Sequence, residues 1–436
     1  MVDSAEIKIW GEPVGAVRWD EKKLLASFQY DNRFLSKNWN LSPIKMPISN
    51  GSRVYSFPEL LSSKNSKEDT FNGLPGLLAD SLPDRYGNQL IDAWLAEQGR
   101  APDSMNPVEK LCFIGTRGMG ALEFQPAMFK KATNTFSIEV DNLVKLSNHI
   151  LNNRETFQAN LSLNEKEALK HIFKVGTSAG GMRAKAIVAF NESTGEVRSG
   201  QTRVPKGFEH WIIKLDGVNE KELGDSKGYG RIEMAYYLMA KDCEIEMTEC
   251  RLLEENNRAH FMTKRFDREG SDSKHHIQTF CAMQQFNYNE VQSYGYEQLF
   301  QTMRILRLDY PQAEQMYRRM VFNILANNCD DHTKNFAFRL KENGVWEIAP
   351  AYDVSYSYDP TSRWVSQHAL SVNGKRTNIS KDDLMSVAKS INIKKAEQII
   401  NQVSEIVGNW PSYAEKTKVN ASKRDSITST FIAGLG

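Results

Sequence analysis

Residues 327–353, NNCDDHTKNFAFRLKENGVWEIAPAYD, are the stretch on which the reading of this chain turns. Residues 336–340 read as a short strand, 341–344 (KENG) as a turn, and 345–349 as the return strand. An Asn-Gly pair between two apolar runs is the strongest local hairpin signal a sequence carries. A hairpin brings its ends together. Asp330 and Asn335 at the entry are therefore expected beside Asp353 past the exit, although 18 residues separate Asn335 from Asp353. Gathering polar side chains at a hairpin mouth is costly unless a cation or a substrate lies between them.

Asp330 and Asn335 are five residues apart. The same separation in a protein-kinase catalytic loop lies between the aspartate that takes the nucleophile's proton and the asparagine that holds magnesium. Asp353, following a strand, then stands where a kinase has its other metal-binding aspartate. Phosphoryl transfer requires such a set because its barrier is one of charge and alignment. Hard cations held by oxygen ligands neutralise the phosphates, and one carboxylate orients the attacking hydroxyl. Two other readings fit this stretch taken alone: Asp330, Asp331 and His332 as ligands of a transition metal, or a plain polar loop that ends a helix.

With 436 residues the chain is long enough for two or three units with substantial cores. Its 55 basic and 54 acidic residues leave a net charge of +1, so no whole-chain field draws it to nucleic acid or membrane. Any DNA contact is expected to be local or to come through a partner. Cys112, Cys243, Cys250, Cys281 and Cys329 are scattered and form no CxxC pair, which argues against a disulfide framework or zinc site and for a reducing compartment. The opening MVDSAEIKIWGEP carries early acids and no apolar core, so no signal peptide is expected. No run approaches the roughly 18 apolar residues of a bilayer span. The expectation is a cytoplasmic protein with no membrane partner.

Residues 1–128 read as a first segment rich in strands and turns: Ile7, Ile9, Val14 and Val17 mark short extended pieces, residues 23–30 another strand, and residues 62–69 a polar loop. Pro83 and Asp84 open a helix whose apolar positions include Leu90, Ile91 and Leu95. Gly115, Gly118 and Gly120 precede a strand; no Lys-Ser/Thr follows them, so a tight turn is favoured over a phosphate loop.

Residues 129–267 form a second segment. Helices are expected near 139–153 and 163–173, followed by strand, loop and strand over residues 171–190. That loop holds Ser178, Gly180 and Gly181, whose small side chains let backbone amides approach phosphate oxygens. A plain glycine turn reads equally well from this loop alone. Lys214 interrupts an apolar strand over 210–217, and a lysine there needs an anionic partner. Glu233, at the head of an apolar helix reaching about residue 241, suits the strand-lysine, helix-glutamate pair of kinases; an edge-strand lysine is the alternative. Lys264, Arg265 and Phe266 end the last strand of the segment. Residues 268–436 form a third, mainly helical segment. Ala313, Met316, Tyr317, Met320, Val321, Ile324 and Leu325 make a helical stripe read as core that delivers Asp330, and Ala396 to Trp410 repeat the pattern. His275 and His276 lack a second cluster with ligand spacing and are not read as a metal site.

Taken together and in order, SAGGMRAK from Ser178 to Lys185, IIKL around Lys214, KRFDR from Lys264, DDHTKN from Asp330 and AYD ending at Asp353 resemble the HipA family, serine/threonine kinase toxins of bacterial toxin–antitoxin pairs. LADSLPD and IGTRGMGAL resemble that family's amino-terminal part, so the likeness spans nearly the whole chain. The resemblance implies an α+β, two-lobed protein-kinase-like fold with an extra β-rich amino-terminal subdomain and an all-helical carboxy-terminal lobe. It implies ATP and Mg2+ as cofactors, Asp330 as catalytic base, and Asn335 and Asp353 as metal ligands. Lys214 would bind phosphate, and Gly180, Gly181, Met182, Arg183, Ala184 and Lys185 would form the loop over the phosphates. Lys264, Arg265 and Phe266 would contact adenine, and His332 and Tyr352 the rest of the nucleotide. Ser178 would be the autophosphorylated serine; a dianion in a phosphate cradle would displace the loop. Met182 and Ala184 depart from the alanine and proline common in that loop. Asp331 stands where some members carry glycine, which predicts a second carboxylate crowding the base.

The implied partner is a small HipB-like helix-turn-helix antitoxin and, through it, operator DNA. The implied target is a translation component such as an aminoacyl-tRNA synthetase. A small-molecule phosphotransferase would use the same constellation with a different acceptor pocket. A catalytically silent co-repressor would not need Asp330, Asn335 and Asp353.

Overall fold

Short strands with alternating apolar residues open the chain, and the side chains that alternate inward (Ile7 and Ile9, Val17 and Trp19, Phe28 and Tyr30) are buried. The structure, a computed structural model, describes residues 2–37, 39–61, 69–129, 135–152, 176, 183–201, 203–218 and 228–431. Most of the loop expected over 62–69, the helix over 163–173, and Ser178, Gly180, Gly181 and Met182 lie outside the described residues. By its contacts the chain divides into two units. Met1–Ser42, Met46–Lys227 and Arg251–Ile277 make the first; Pro43–Lys45, Gly228–Cys250 and Gln278–Gly436 make the second. The helix Tyr229–Asp242, which carries Glu233, thus packs with the later residues.

The first unit is mixed α/β. Leu25–Tyr30, Glu12–Asp20, Ser4–Ile9 and Leu122–Gln125 pair in that order as an antiparallel sheet. A five-stranded sheet runs Val197–Ser199, Lys185–Phe190, Glu209–Lys214, Arg258–Lys264, Cys250–Glu255. Two helices, Arg85–Glu97 and Val140–Asn152, bury Tyr86, Leu90, Val144 and Ile150 against Val188, Trp211, Ile213 and Met262 of that sheet. Asp84 caps the first of these helices by accepting from the Gly87 amide. Its sequence segment, assigned to the amino-terminal part, therefore packs on the sheet that bears Lys214.

The glycine triplet is the tight turn expected before a strand. Gly115 and Gly120 have φ of 60° and 75° and lead into Leu122–Gln125. The turn also has a docking role that its sequence does not announce. Gly120 donates its amide to Asp267 Oδ2 at 2.7 Å. Arg268 donates to the carbonyls of Gly118 and Gly120 at 2.9 and 3.0 Å. Arg265 closes a two-pronged pair on Asp267 at 2.9 and 2.7 Å, and Arg268 adds a third donor at 2.7 Å. Asp267 is fully buried; burial by itself raises a carboxyl pKa, but the two guanidiniums outweigh it and hold Asp267 far below the usual carboxylate range.

In the second unit Asp309 caps Tyr310–Leu325, and Met316, Tyr317, Met320, Val321, Ile324 and Leu325 are buried as the stripe predicts. They share one core with Ile399, Ile400, Val403 and Val407 of Ala396–Gly408 and with Trp410. The region is not helical throughout. Ala337–Leu340 pairs antiparallel with Trp346–Ile348, matching Phe338 to Ile348 and Leu340 to Trp346 across the expected turn, where Gly344 has φ of 81°. Among the described residues no helix is long and apolar enough to cross a membrane.

Replacing Asp267 by Asn leaves two buried guanidiniums facing a neutral amide. Loss of a buried ionic partner costs about 3–5 kcal/mol. The expected result is an early unfolding transition of the first unit in a urea titration. The carboxyl's depressed folded pKa contributes stability above the ordinary carboxylate pKa and loses it as pH falls, so Asp267→Asn should also flatten the acid limb of the wild-type stability profile.

Candidate functional site

The Tyr310–Leu325 helix ends where Asn327 takes a left-handed backbone, φ 49°, which turns the chain out of the helix just before Asp330. His332 then caps a single 3-10 turn, Thr333–Asn335, and its Nδ1 accepts from the Lys334 amide at 3.2 Å. These turns fold residues 327–335 back on themselves. Asn335 Nδ2 donates to the Asp330 carbonyl at 2.7 Å, leaving the amide oxygen as its remaining polar atom. The hairpin returns the chain to the same place: Tyr352 donates its hydroxyl to the Lys334 carbonyl at 2.6 Å. Asp353 has φ of 52°, an uncommon backbone for a residue with a Cβ, of the kind that clusters at functional sites.

Asn335 and Asp353 line one cavity, together with Arg319, Asn323, Asn328, Asp331 and Tyr352. The convergence expected from the hairpin is present. Asp330 is not among the residues that line the cavity; its side chain is half exposed, with Oδ1 3.7 Å from His332 Nε2. Two carboxylates and an amide oxygen are hard donors, few in number, and suit Mg2+ completed by water and phosphate. Among the described residues no group of three or more His, Cys, Asp and Glu is placed to hold a metal, so the transition-metal reading of Asp330, Asp331 and His332 has no support.

Asp331 corrects the expectation of a second carboxylate crowding the base. It is buried and turned away from its neighbour. Its Oδ1 accepts from the Ala369 amide at 2.7 Å, and its Oδ2 from the Tyr296 hydroxyl at 2.8 Å; His368 Nδ1 lies 3.2 Å from Oδ2. Asn323 donates to the Tyr296 oxygen at 3.0 Å and accepts from Asn328 at 2.9 Å, so the network reaches back into the helix. Burial disfavours an imidazolium, but the Asp331 carboxylate outweighs it and lifts the His368 pKa up to about 10. Burial and the same carboxylate push the Tyr296 phenol well above its ordinary range, which keeps it a donor. Sequence reading missed Tyr296, Asn323 and His368. Asn323 alone left a trace, as a polar residue inside a buried helix; the other two are 35 and 37 residues from Asp331.

Other expected site residues fall in the first unit. Lys214 sits opposite Lys185 in the sheet, 5.6 Å from the Phe261 ring centroid. Lys185 does not line an open loop: its side chain is buried, and its amine pairs with Asp84 at 3.5 Å. Ala184 is part of the core beneath the helices, whereas Arg183 is exposed. Lys264 pairs with Glu209 at the surface. Arg265 is committed to Asp267, so its side chain is not available to adenine. Phe266 is half-buried. Glu233 is buried in the second unit.

Comparison with protein families matches the HipA-like C-terminal domain over residues 177–410 and the HipA N-terminal domain over residues 5–125. Among solved structures, a chain of the Shewanella oneidensis MR-1 complex of HipA, HipB and operator DNA is 15% identical, with TM-score 0.64 over 98% of this chain and 94% of that one. At that identity the likeness speaks for the fold alone. A Helicobacter pylori proinflammatory kinase, CtkA, matches at 13% identity and TM-score 0.32, covering 58% of this chain and 92% of its own, too slight to bear on the argument. No curated protein matches this chain.

His368→Gln removes the cation facing a buried carboxylate and should cost about 3 kcal/mol near pH 6, again by the loss of a buried partner. Because the folded pKa is raised, this stabilisation is complete below the free imidazole value of about 6.5 and fades as pH rises through about 10. Wild-type melting temperatures should fall across that window, and those of the variant should not follow them.

Proposed function

Because the chain belongs to the HipA family, we propose that it is an ATP- and Mg2+-dependent serine/threonine protein kinase, the toxin of a toxin–antitoxin pair. The observation that carries this reading is the meeting of Asn335 and Asp353 at one cavity, with the Asp330 backbone carbonyl bonded to Asn335. Residues 1–128 are then the amino-terminal subdomain, 129–267 the nucleotide-covering part and 268–436 the part that bears the chemistry.

Asn335 and Asp353 would hold Mg2+ through oxygen, and bound Mg2+ supplies charge neutralisation of the triphosphate. Asp330 orients the acceptor hydroxyl and takes its proton as that oxygen bonds to the γ-phosphorus; the bond to the bridging oxygen breaks and ADP leaves. Lys214 is assigned to the α- and β-phosphates, and Glu233 is kept among the proposed nucleotide-site residues. Gly180, Gly181, Met182 and Arg183 keep the role of covering the phosphates. The backbone around Lys264 and Phe266 is assigned to adenine, and Tyr352 and His332 to the remainder of the nucleotide. Lys185 instead holds Asp84, and the Arg265 side chain holds Asp267. Ser178 is the proposed site of autophosphorylation. The proposed partner is a small helix-turn-helix antitoxin, as HipB accompanies HipA on operator DNA in the Shewanella complex. The proposed target is a translation component such as an aminoacyl-tRNA synthetase.

Incubation with γ-labelled ATP and Mg2+ tests this. Label should enter the protein itself, vanish with EDTA, and fall by about 10²–10⁴ in Asp330→Asn, the usual worth of a positioned base. Ser178→Ala should lose self-labelling yet still label an acceptor protein identified by phosphoproteomics after brief induction. Transfer that survives Asp330→Asn unchanged would end the kinase reading.

A further inference from the structure

Tyr288 lies outside every motif, in the irregular segment that follows the short helix Phe280–Gln284. Its ring meets the catalytic loop at two places. The His332 ring centroid is 5.5 Å away at an interplanar angle of 47°. Lys334 Nζ stands over the same ring, 4.3 Å from its centroid. The two loop side chains nearest Asp330 on its carboxyl side, other than buried Asp331 and Thr333, therefore both contact the one ring.

The platform is braced. Phe286 stacks on Tyr294 at 4.2 Å, its amide donates to the Cys281 carbonyl at 2.9 Å, and the Asn287 amide donates to the Tyr294 hydroxyl at 2.9 Å. These contacts fix the backbone immediately before Tyr288 without any ligand.

The geometry also selects a tautomer. His332 Nδ1 accepts an amide hydrogen from Lys334, so it carries no proton of its own and the ring proton sits on Nε2. That N–H is the one that faces Asp330 Oδ1, at 3.7 Å. The separation exceeds a hydrogen bond and is typical of a site that tightens only when substrate binds.

We propose that Tyr288 is a positioning residue for phosphate transfer: its ring holds His332 and Lys334 so that the imidazole Nε2–H is presented to Asp330 and steadies its carboxylate. This rests on the reading of Asp330 as catalytic base. The ring face does the positioning and the phenolic oxygen does not, because a flat π-surface is what attracts the ammonium and packs the imidazole.

The test compares full-length wild type, Tyr288→Phe and Tyr288→Leu by steady-state labelling with ATP, alongside ¹⁵N NMR of histidine-labelled protein with His332→Gln to assign the signal. Tyr288→Phe should stay within about twofold of wild type. Tyr288→Leu should lose about tenfold in kcat with KM for ATP changed less than about threefold, the loss expected of two ring contacts that align rather than bind. The wild-type His332 signal should report the Nε2–H tautomer, and Tyr288→Leu should show a mixture. Equal kcat in Tyr288→Leu, an equal loss in Tyr288→Phe, or a loss confined to KM would overturn the proposal. So would a wild-type His332 signal for the Nδ1–H tautomer, a result that does not depend on either Tyr288 variant folding. If the wild type transfers no phosphate, the kinase reading fails, while the NMR arm still decides whether Tyr288 sets the tautomer.

Discussion

A buried carboxylate anchors the loop on which the site depends. Asp331 accepts from a backbone amide and a tyrosine hydroxyl and faces a histidine whose charge it stabilises, all within hydrogen-bond range. Those partners come from the helix start at Tyr296 and from the segment at His368 and Ala369, so a single side chain ties three parts of the second unit together. A buried charge is tolerable only when satisfied on all sides. Once these bonds are made, residue 331 has one orientation, and with adjacent side chains diverging along an extended stretch, Asp330 is left facing outwards. The half-exposed base and the buried anchor are two consequences of one constraint.

The first unit solves a similar problem with the opposite charge balance. Asp267 gathers Arg265, Arg268 and the Gly120 amide, and in doing so pins the end of strand Arg258–Lys264 to the turn before Leu122–Gln125. The ion pair between Lys185 and Asp84 does the same for the helix that packs on the five-stranded sheet. In both cases a residue that motif reading offers to a nucleotide is spent on holding amino-terminal elements in place. Lys214, one strand across from Lys185, stands 5.6 Å from the Phe261 ring centroid.

Legibility followed the range of the interaction. The hairpin was readable because Asn343 and Gly344 impose a turn on their immediate neighbours, and the register of Phe338 with Ile348 follows from that turn. The stripe from Met316 to Leu325 and the cap at Asp84 were readable for the same reason, being rules about residues three or four apart. Convergence of Asn335 with Asp353 was readable at one remove, as a corollary of the hairpin. The direction of Asp331, the burial of Lys185 and Ala184, and the commitment of Arg265 were not, since each depends on a partner in another element.

From its order of residues alone this chain specified its hairpin, the helix opened at Asp84, the helix bearing Met316 to Leu325, and the meeting of Asn335 with Asp353, because backbone sterics and side-chain periodicity act over a few positions. Which of two adjacent aspartates turns inwards, which lysine is buried, and that an unheralded tyrosine underlies His332 and Lys334 were decided only by packing. Charge and burial are properties of a neighbourhood, and the neighbourhoods of Asp331, Lys185 and His332 are assembled from segments far apart in the chain.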